Sequence, residues 1–290
     1  MSVTSTDNAN RFLTLLDDTV CVTVCTLFVC LPQRMDTSVF TVATRSHNAT
    51  GYWGNSDDVT HTFCEPHYST TVYLAEFYNC LSSIVYVFMG IYILLGIKHN
   101  DPYIRLSGGW LVVIGIGSML FHGIMWFWMQ LLDEIPMVGF LGTLMLGAAE
   151  HGRFHKWKQP LQAFIVVQAL TVSIVYVMTQ QYEIFFHGYT SMIVVEVILV
   201  LLTRKTEGRH AAMHFRSFVL GGIALIVGRV CWETENRLCE AYPSVWPLHT
   251  GWHFISTALA YFIVVITLIL RLDESQDIPD LVLFRKEKGD

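Results

Sequence analysis

Residues 117–137, GSMLFHGIMWFWMQLLDEIPM, join two apolar runs of membrane-spanning length, at roughly 106–128 and 130–149. Further runs of this kind occur at roughly 72–97, 161–179, 184–203, 217–232 and 246–270. Most of them reach the ~20 residues that a helix needs to cross a bilayer. Of the 290 residues, 53% are hydrophobic and 14% are charged, which is atypical of a soluble domain. We therefore predict an all-α, polytopic membrane protein with a bundle of seven transmembrane helices.

The distribution of Lys and Arg predicts how the bundle is oriented. Apart from Arg229 inside a run and the arginines before the first run, these residues collect in one set of connections and near the C-terminus. The opposite set holds only Arg237. Because cytosolic loops are enriched in Lys and Arg, we predict a lumenal N-terminus and a cytosolic C-terminus. The predicted domains are a polar, poorly ordered tail at 1–50, the membrane domain at 51–271 and a cytosolic tail at 272–290.

Histidines inside the apolar runs point to a functional site, because polar side chains are costly in hydrocarbon. His122 closes the second run, and His249 and His253 open the seventh. The latter two are four residues apart and therefore share one face of a helix. In the predicted topology all three lie toward the lumenal side. Three imidazoles plus one open position form a ligand set of catalytic zinc, so we predict that these histidines bind Zn²⁺.

Two more polar residues fit hydrolysis at such a zinc site. Ser118 precedes His122 by one helical turn, and a short turn at 123–128 would return Asp133 to the same depth. Zinc makes hydroxide available from water near neutral pH, Asp133 could carry the proton, and the Ser118 hydroxyl could stabilise an oxyanion. For Glu134, a structural role, in orienting a histidine or capping the helix, is as open as a functional one. The spacing alone also fits interfacial placement of the histidines, or a seven-span receptor with a structural metal.

The same stretch resembles a known family. The S-x3-H and QLLDE[IL]PM patterns, with AEFYN at 75–79 and LHTGWH at 248–253, resemble the alkaline ceramidase family from about residue 51 to 270. The resemblance implies a zinc-dependent membrane amidohydrolase that cleaves ceramide into sphingosine and a free fatty acid. The matching positions are His122, His249 and His253 for zinc, and Ser118 and Asp133 for catalysis.

The resemblance also indicates the partners and the location. We expect ceramide and water as reactants and a multi-pass protein of the endoplasmic reticulum or Golgi membrane. We expect neither a nucleic acid nor an obligate protein partner. A related phospholipase or acyl hydrolase acting on glycerolipids or GPI anchors could use the same residues. This function and that of a receptor with a structural metal therefore both remain alternatives.

The resemblance further implies a calcium site before the first span. The matching residues are Phe63, through its carbonyl, and the side chains of Glu65, His67 and Glu76. Thr62 and His67 stand where the family pattern has an aspartate and an asparagine. Ca²⁺ takes about six to eight oxygen ligands, and an imidazole is a poor substitute. A calcium site, with Asp57 or Asp58 as an added ligand, and a structural role for Glu76 therefore both stay open.

Cys64 and Cys239 both fall on the predicted lumenal side, where disulfides can form. They also match a lumenal cysteine pair of the family. We therefore predict a Cys64–Cys239 disulfide, with two unrelated thiols as the alternative.

Overall fold

The computed structural model describes residues 50–272, except for 56–57, 98–99, 155, 205–206 and 209. Nearly all of the predicted tails at 1–50 and 272–290 lies outside the described residues. Seven helical spans in the described part are long and apolar enough to cross a membrane, which confirms the predicted all-α bundle. They are Phe77–Gly96, Pro102–Ile124, Phe127–Ala149, Lys158–Thr179, Tyr182–Thr203, Ala211–Leu238 and Pro243–Arg271. The orientation in the membrane stays a prediction.

The first span consists of α1 (Phe77–Ser82), α2 (Ile84–Ile91) and a π-helical turn (Tyr92–Gly96), preceded by an antiparallel pair of two-residue strands. The strands are β1 (Thr50–Gly51) and β2 (Gly54–Asn55). The other helices are α3 (Pro102–Ile124), α4 (Phe127–Ala149), α5 (Lys158–Thr179), α6 (Tyr182–Thr203), α7 (Ala211–Leu238) and α8 (Pro247–Arg271). Short 3₁₀ turns lie at Gly152–Phe154 and Pro243–Val245.

The last helix forms the centre of the bundle. α8 packs against α1, α2, α3, α4 and α7, and side chains such as Val265 and Leu268 are fully buried there. Large apolar side chains on the periphery point outward instead: Leu95 and Met178 are each 78% exposed. Such exposure would be costly in water and suits helices that face lipid.

α7 is longer than predicted, at Ala211–Leu238 instead of 217–232. The charged residues after position 232 indicated a loop, because charge is costly in hydrocarbon. The helix continues because Glu233 forms ion pairs with Arg229 and Arg237, each four residues away. Residues at this spacing lie on the same helix face, so each charge has a partner without leaving the helix.

Arg271 of α8 forms ion pairs with residues at the ends of α3 and α4. These contacts lie at the end of the bundle that we predict to be cytosolic. Its guanidinium contacts Asp101, whose carboxylate caps the first turn of α3, and lies 3.0 Å from Glu150 Oε2 at the end of α4. Lys158 Nζ at the start of α5 lies 3.0 Å from Glu150 Oε1. Although partial burial opposes ionisation, hydrogen bonds from Lys158 and Arg271 lower the pKa of Glu150.

Candidate functional site

The three histidines predicted as metal ligands lie together at the opposite end of the bundle. His122 is in the last turn of α3, and His249 and His253 are in the first two turns of α8. All three side chains are buried, and each offers a ring nitrogen within 4.8 Å of the other two. The structure therefore holds three imidazoles around one point.

Each histidine has its Nδ1 atom beside a polar side chain of another segment. The pairs are His122 with Glu76 Oε2 at 2.6 Å, His253 with Ser82 Oγ at 2.7 Å, and His249 with Glu235 Oε2 at 3.2 Å. The Ser82 hydroxyl donates to the Asn79 carbonyl, so its oxygen accepts from His253. Ionised carboxylates likewise only accept. Nδ1 therefore carries the proton in His122 and His253, and the carboxylate beside His249 Nδ1 favours the same tautomer, although the two groups do not form a hydrogen bond. Nε2 then keeps a lone pair for a metal, as is typical of zinc-bound histidines.

Ser118 and Asp133 lie beside His122. Ser118 is buried and its side chain interacts with the Asp133 carboxylate, which also interacts electrostatically with His122. Ser83 Oγ lies 3.0 Å from Ser118 Oγ. Asp133 is only partly buried. The structure thus brings together all five residues predicted for zinc binding and catalysis.

A tight turn returns Asp133 to the level of His122. α3 ends at Ile124, and Met125 adopts a left-handed conformation with φ of 59°. α4 begins at Phe127, so the turn is shorter than the predicted 123–128. Because only two residues separate the helices, Asp133 lies in the second turn of α4, antiparallel to the end of α3.

A close backbone contact between α3 and α4 adjoins these residues. A Cβ atom on Gly117 would lie 2.1 Å from the carbonyl oxygen of Leu132, far inside van der Waals contact. Only glycine therefore allows the two backbones to meet here. Ser118 follows Gly117 and Asp133 follows Leu132, so the contact sets the distance between the two polar side chains.

Gly117→Ala is expected to push α3 away from α4 and to destabilise the protein by about 1–3 kcal/mol, the usual cost of overpacking. Gly109→Ala in the same helix is the matched control, because a Cβ there meets nothing within 4 Å. The measurement is the midpoint of thermal unfolding of each variant in detergent. Equal midpoints for the two variants would contradict the close contact at Gly117.

Residues 58–76, which we call the cap segment, cover the histidine end of the bundle. Cys64 forms a disulfide with Cys239 after α7, with a Cα–Cα distance of 5.5 Å. The backbone N–H of Cys64 also donates to Glu235 Oε1 at 2.8 Å. Glu235 therefore contacts the cap segment with one oxygen and His249 with the other.

The cap segment also contacts two of the candidate metal-binding histidines directly. The Phe63 ring lies 3.6 Å from the His249 ring, measured between centroids. The backbone N–H of Glu76 donates to the carbonyl of His122 at 2.9 Å. The histidines are therefore shielded on the side that we predict to face the lumen.

Glu65, one of the residues considered for calcium, caps the first span. Its Oε1 accepts from the backbone N–H of Tyr78 at 2.7 Å and its Oε2 from that of Asn79 at 2.9 Å. Burial raises the pKa of Glu65, although these two hydrogen bonds oppose the shift. Asp58 is exposed, and Asp57 lies outside the described residues.

Glu76, another residue considered for calcium, is fully buried and surrounded by nitrogen atoms. Its Oε1 lies 3.1 Å from His67 Nε2 and accepts from the backbone N–H of Phe63 at 3.4 Å. Its Oε2 lies 2.6 Å from His122 Nδ1 and accepts from Asn79 Nδ2 at 3.1 Å. Glu76 thus links the cap segment to a candidate metal ligand.

Sequence reasoning missed Glu235 and Ser82 as partners of the histidines. A signal existed for Glu235, because zinc-bound histidines commonly have a carboxylate partner and two glutamates follow the sixth apolar run. Ser82 gave no such signal, since a serine inside an apolar run is unremarkable. Glu134 has neither of the roles considered for it: its Oε1 accepts from Gln130 Nε2 at 3.0 Å.

Comparisons with known proteins show which family the chain is similar to. A family model described as Ceramidase matches residues 56–287. An alkaline ceramidase of Saccharomyces cerevisiae is 29% identical over 245 residues, covering 74% of this chain and 77% of the relative. Alkaline ceramidase 3 of Mus musculus is 24% identical over 245 residues, covering 76% of this chain and 86% of the relative.

Proposed function

The chain belongs to the ceramidase family, and on this premise we propose that it is a zinc-dependent membrane amidohydrolase that cleaves ceramide into sphingosine and a free fatty acid. The observation that carries the proposal is the group of three buried histidines, with ligand atoms within 4.8 Å of one another, beside Ser118 and Asp133. A receptor with a structural metal would need neither of these two side chains. Family membership also argues against that alternative.

The donor set fits zinc. His122, His249 and His253 would hold the ion through Nε2, because Nδ1 is hydrogen-bonded in His122 and His253 and lies 3.2 Å from the Glu235 carboxylate in His249. Three neutral imidazoles leave one coordination position open, as in catalytic zinc sites. When bound, zinc supplies Lewis-acid activation of water near neutral pH.

Asp133 is the proposed proton carrier. Its carboxylate would accept a proton as water adds to the amide carbon, and would return it to the nitrogen as the carbon–nitrogen bond breaks. The product amine of sphingosine needs that proton to leave. The position of Asp133 beside His122 and Ser118 supports this role.

Ser118 is the proposed oxyanion donor. Its hydroxyl lies beside Asp133 in the structure and would turn toward the carbonyl oxygen of the amide as negative charge develops there. The Ser83 hydroxyl beside it, 3.0 Å away, would hold the Ser118 oxygen in place during that turn.

Ceramide would reach this site from within the bilayer. The cap segment covers the end of the bundle and is fixed by the Cys64–Cys239 disulfide. We place the enzyme in the endoplasmic reticulum or Golgi membrane, where a multi-pass protein meets newly made lipid.

Glu235→Gln is expected to weaken zinc binding by about 10–100-fold, because a metal-bound histidine would lose its carboxylate partner. Glu233→Gln is the matched control on the same helix, since Glu233 pairs with Arg229 and Arg237 and not with a histidine. Competition with a zinc-binding dye measures both affinities. A zinc affinity for Glu235→Gln equal to that of the control would rule out the assigned partner of His249.

The function itself is tested with purified, zinc-loaded protein in lipid vesicles. Ceramide, a diacyl glycerophospholipid and a GPI-anchored substrate are supplied separately, and released sphingosine and fatty acid are measured by mass spectrometry. We expect equal amounts of both products from ceramide. Hydrolysis of the glycerophospholipid or the GPI substrate without release of sphingosine would favour the acyl hydrolase alternative.

A further inference from the structure

The residues that match a calcium site do not fit calcium. An ionised carboxylate has about four lone-pair positions, and four nitrogen atoms surround Glu76. These donors belong to His67, His122, Asn79 and the Phe63 backbone. Both oxygens of Glu65 are likewise engaged by the N-terminal N–H groups of α1. A cation that takes about six to eight oxygen ligands would have to displace donors that satisfy buried charge.

His67 is buried beside Glu76. It is 6% exposed, and its Nε2 lies 3.1 Å from Oε1 of the fully buried Glu76. The other oxygen of Glu76 lies 2.6 Å from His122 Nδ1. A buried carboxylate is stable only when its oxygens are paired, so removing one donor disturbs the whole group.

We propose that this ceramidase works without calcium and that His67 performs the positioning that a bound cation would otherwise provide. His67 holds Glu76, and Glu76 fixes the ring of His122 in the orientation that presents Nε2 to zinc. His67 is thus a positioning residue, because it acts on the metal site only through Glu76. What the inference says about ceramide turnover rests on the proposed function. Its metal-binding tests do not depend on turnover.

The first test uses the unaltered protein, stripped of metals and reloaded with zinc alone. Its midpoint of thermal unfolding is measured as Ca²⁺ is raised to about 1 mM, since a ligand that binds only the native state raises the midpoint. Ceramide turnover is followed in parallel. We expect neither to change. A saturable rise of the midpoint by ~3 °C or more, or a turnover that needs Ca²⁺, would overturn the proposal.

The second test measures the zinc affinity of His67→Ala. We expect it to fall by about tenfold, the lower end of the effect of losing an outer partner of a metal ligand. His67→Gln keeps a side-chain N–H donor and is expected to restore most of the affinity. The control is His187→Ala, since His187 lies on α6 with its side chain 62% exposed.

The outcomes of the two tests separate the two proposals. Equal zinc affinities for His67→Ala and His187→Ala would overturn the role of His67. If His67→Ala does not fold, the calcium titration of the unaltered protein decides by itself. If the zinc affinities of the unaltered protein and the His67 variants are as expected but the zinc-loaded protein does not cleave ceramide, the proposed function fails. The inference about His67 then stands.

Discussion

Replacing Asp133 with asparagine is expected to lower ceramide turnover by about 10²–10⁴-fold while zinc stays bound. Asparagine has nearly the same shape and can still accept a hydrogen bond from Ser118, but it cannot take a proton from water. The three histidines and their partners are untouched by the change. Loss of turnover with retained zinc would separate a catalytic role of Asp133 from a structural one.

Sphingosine release and zinc content are both measured on Asp133→Asn, with Glu134→Gln as the control. Glu134 is the next residue of α4, but its carboxylate bonds to Gln130 and lies outside the histidine group. We expect Glu134→Gln to keep turnover near that of the unaltered protein. Unchanged turnover in Asp133→Asn would contradict its role as proton carrier.

Replacing His253 with alanine is expected to remove both zinc and turnover. Two histidines remain in that variant, and the Ser82 oxygen loses the hydrogen bond from His253. Because Lewis-acid activation of water depends on the metal, we expect turnover to fall by ~10³-fold or more. Metal analysis by mass spectrometry and a product assay measure the two effects.

His187→Ala is the control for His253→Ala, because it also removes an imidazole but from an exposed position on α6. Circular dichroism checks that both variants remain helical. A folded His253→Ala protein with normal zinc content would contradict the assignment of His253 as a ligand.

The sequence predicted the seven spans and the meeting of the histidines for simple physical reasons. Long apolar runs require membrane helices, and alternating helix directions place the end of the second span beside the start of the seventh. The four-residue spacing of His249 and His253 puts both on one face. The tight turn after α3 then returns Asp133 to Ser118, which the sequence also indicated.

The partners of the histidines were harder to predict, because each lies on a separate segment. Glu235 reaches His249 only because α7 continues past residue 232, and ion pairs of Glu233 within the helix make that extension possible. The contacts of the polar residues in the cap segment could not be predicted for a different reason. The residue types of Glu65, His67 and Glu76 indicate a polar cluster. Only the structure shows that nitrogen donors already contact the carboxylate oxygens of both glutamates.

The most direct measurement of zinc-dependent hydrolysis is the recovery of ceramide turnover after metal removal. Purified protein is stripped with a chelator, freed of it, and assayed for sphingosine release before and after an equimolar amount of Zn²⁺ is returned in calcium-free buffer. We predict that turnover is lost on stripping and restored by zinc alone. Full turnover in the stripped protein, or a failure of zinc to restore it while the protein remains folded, would contradict a zinc-dependent ceramidase.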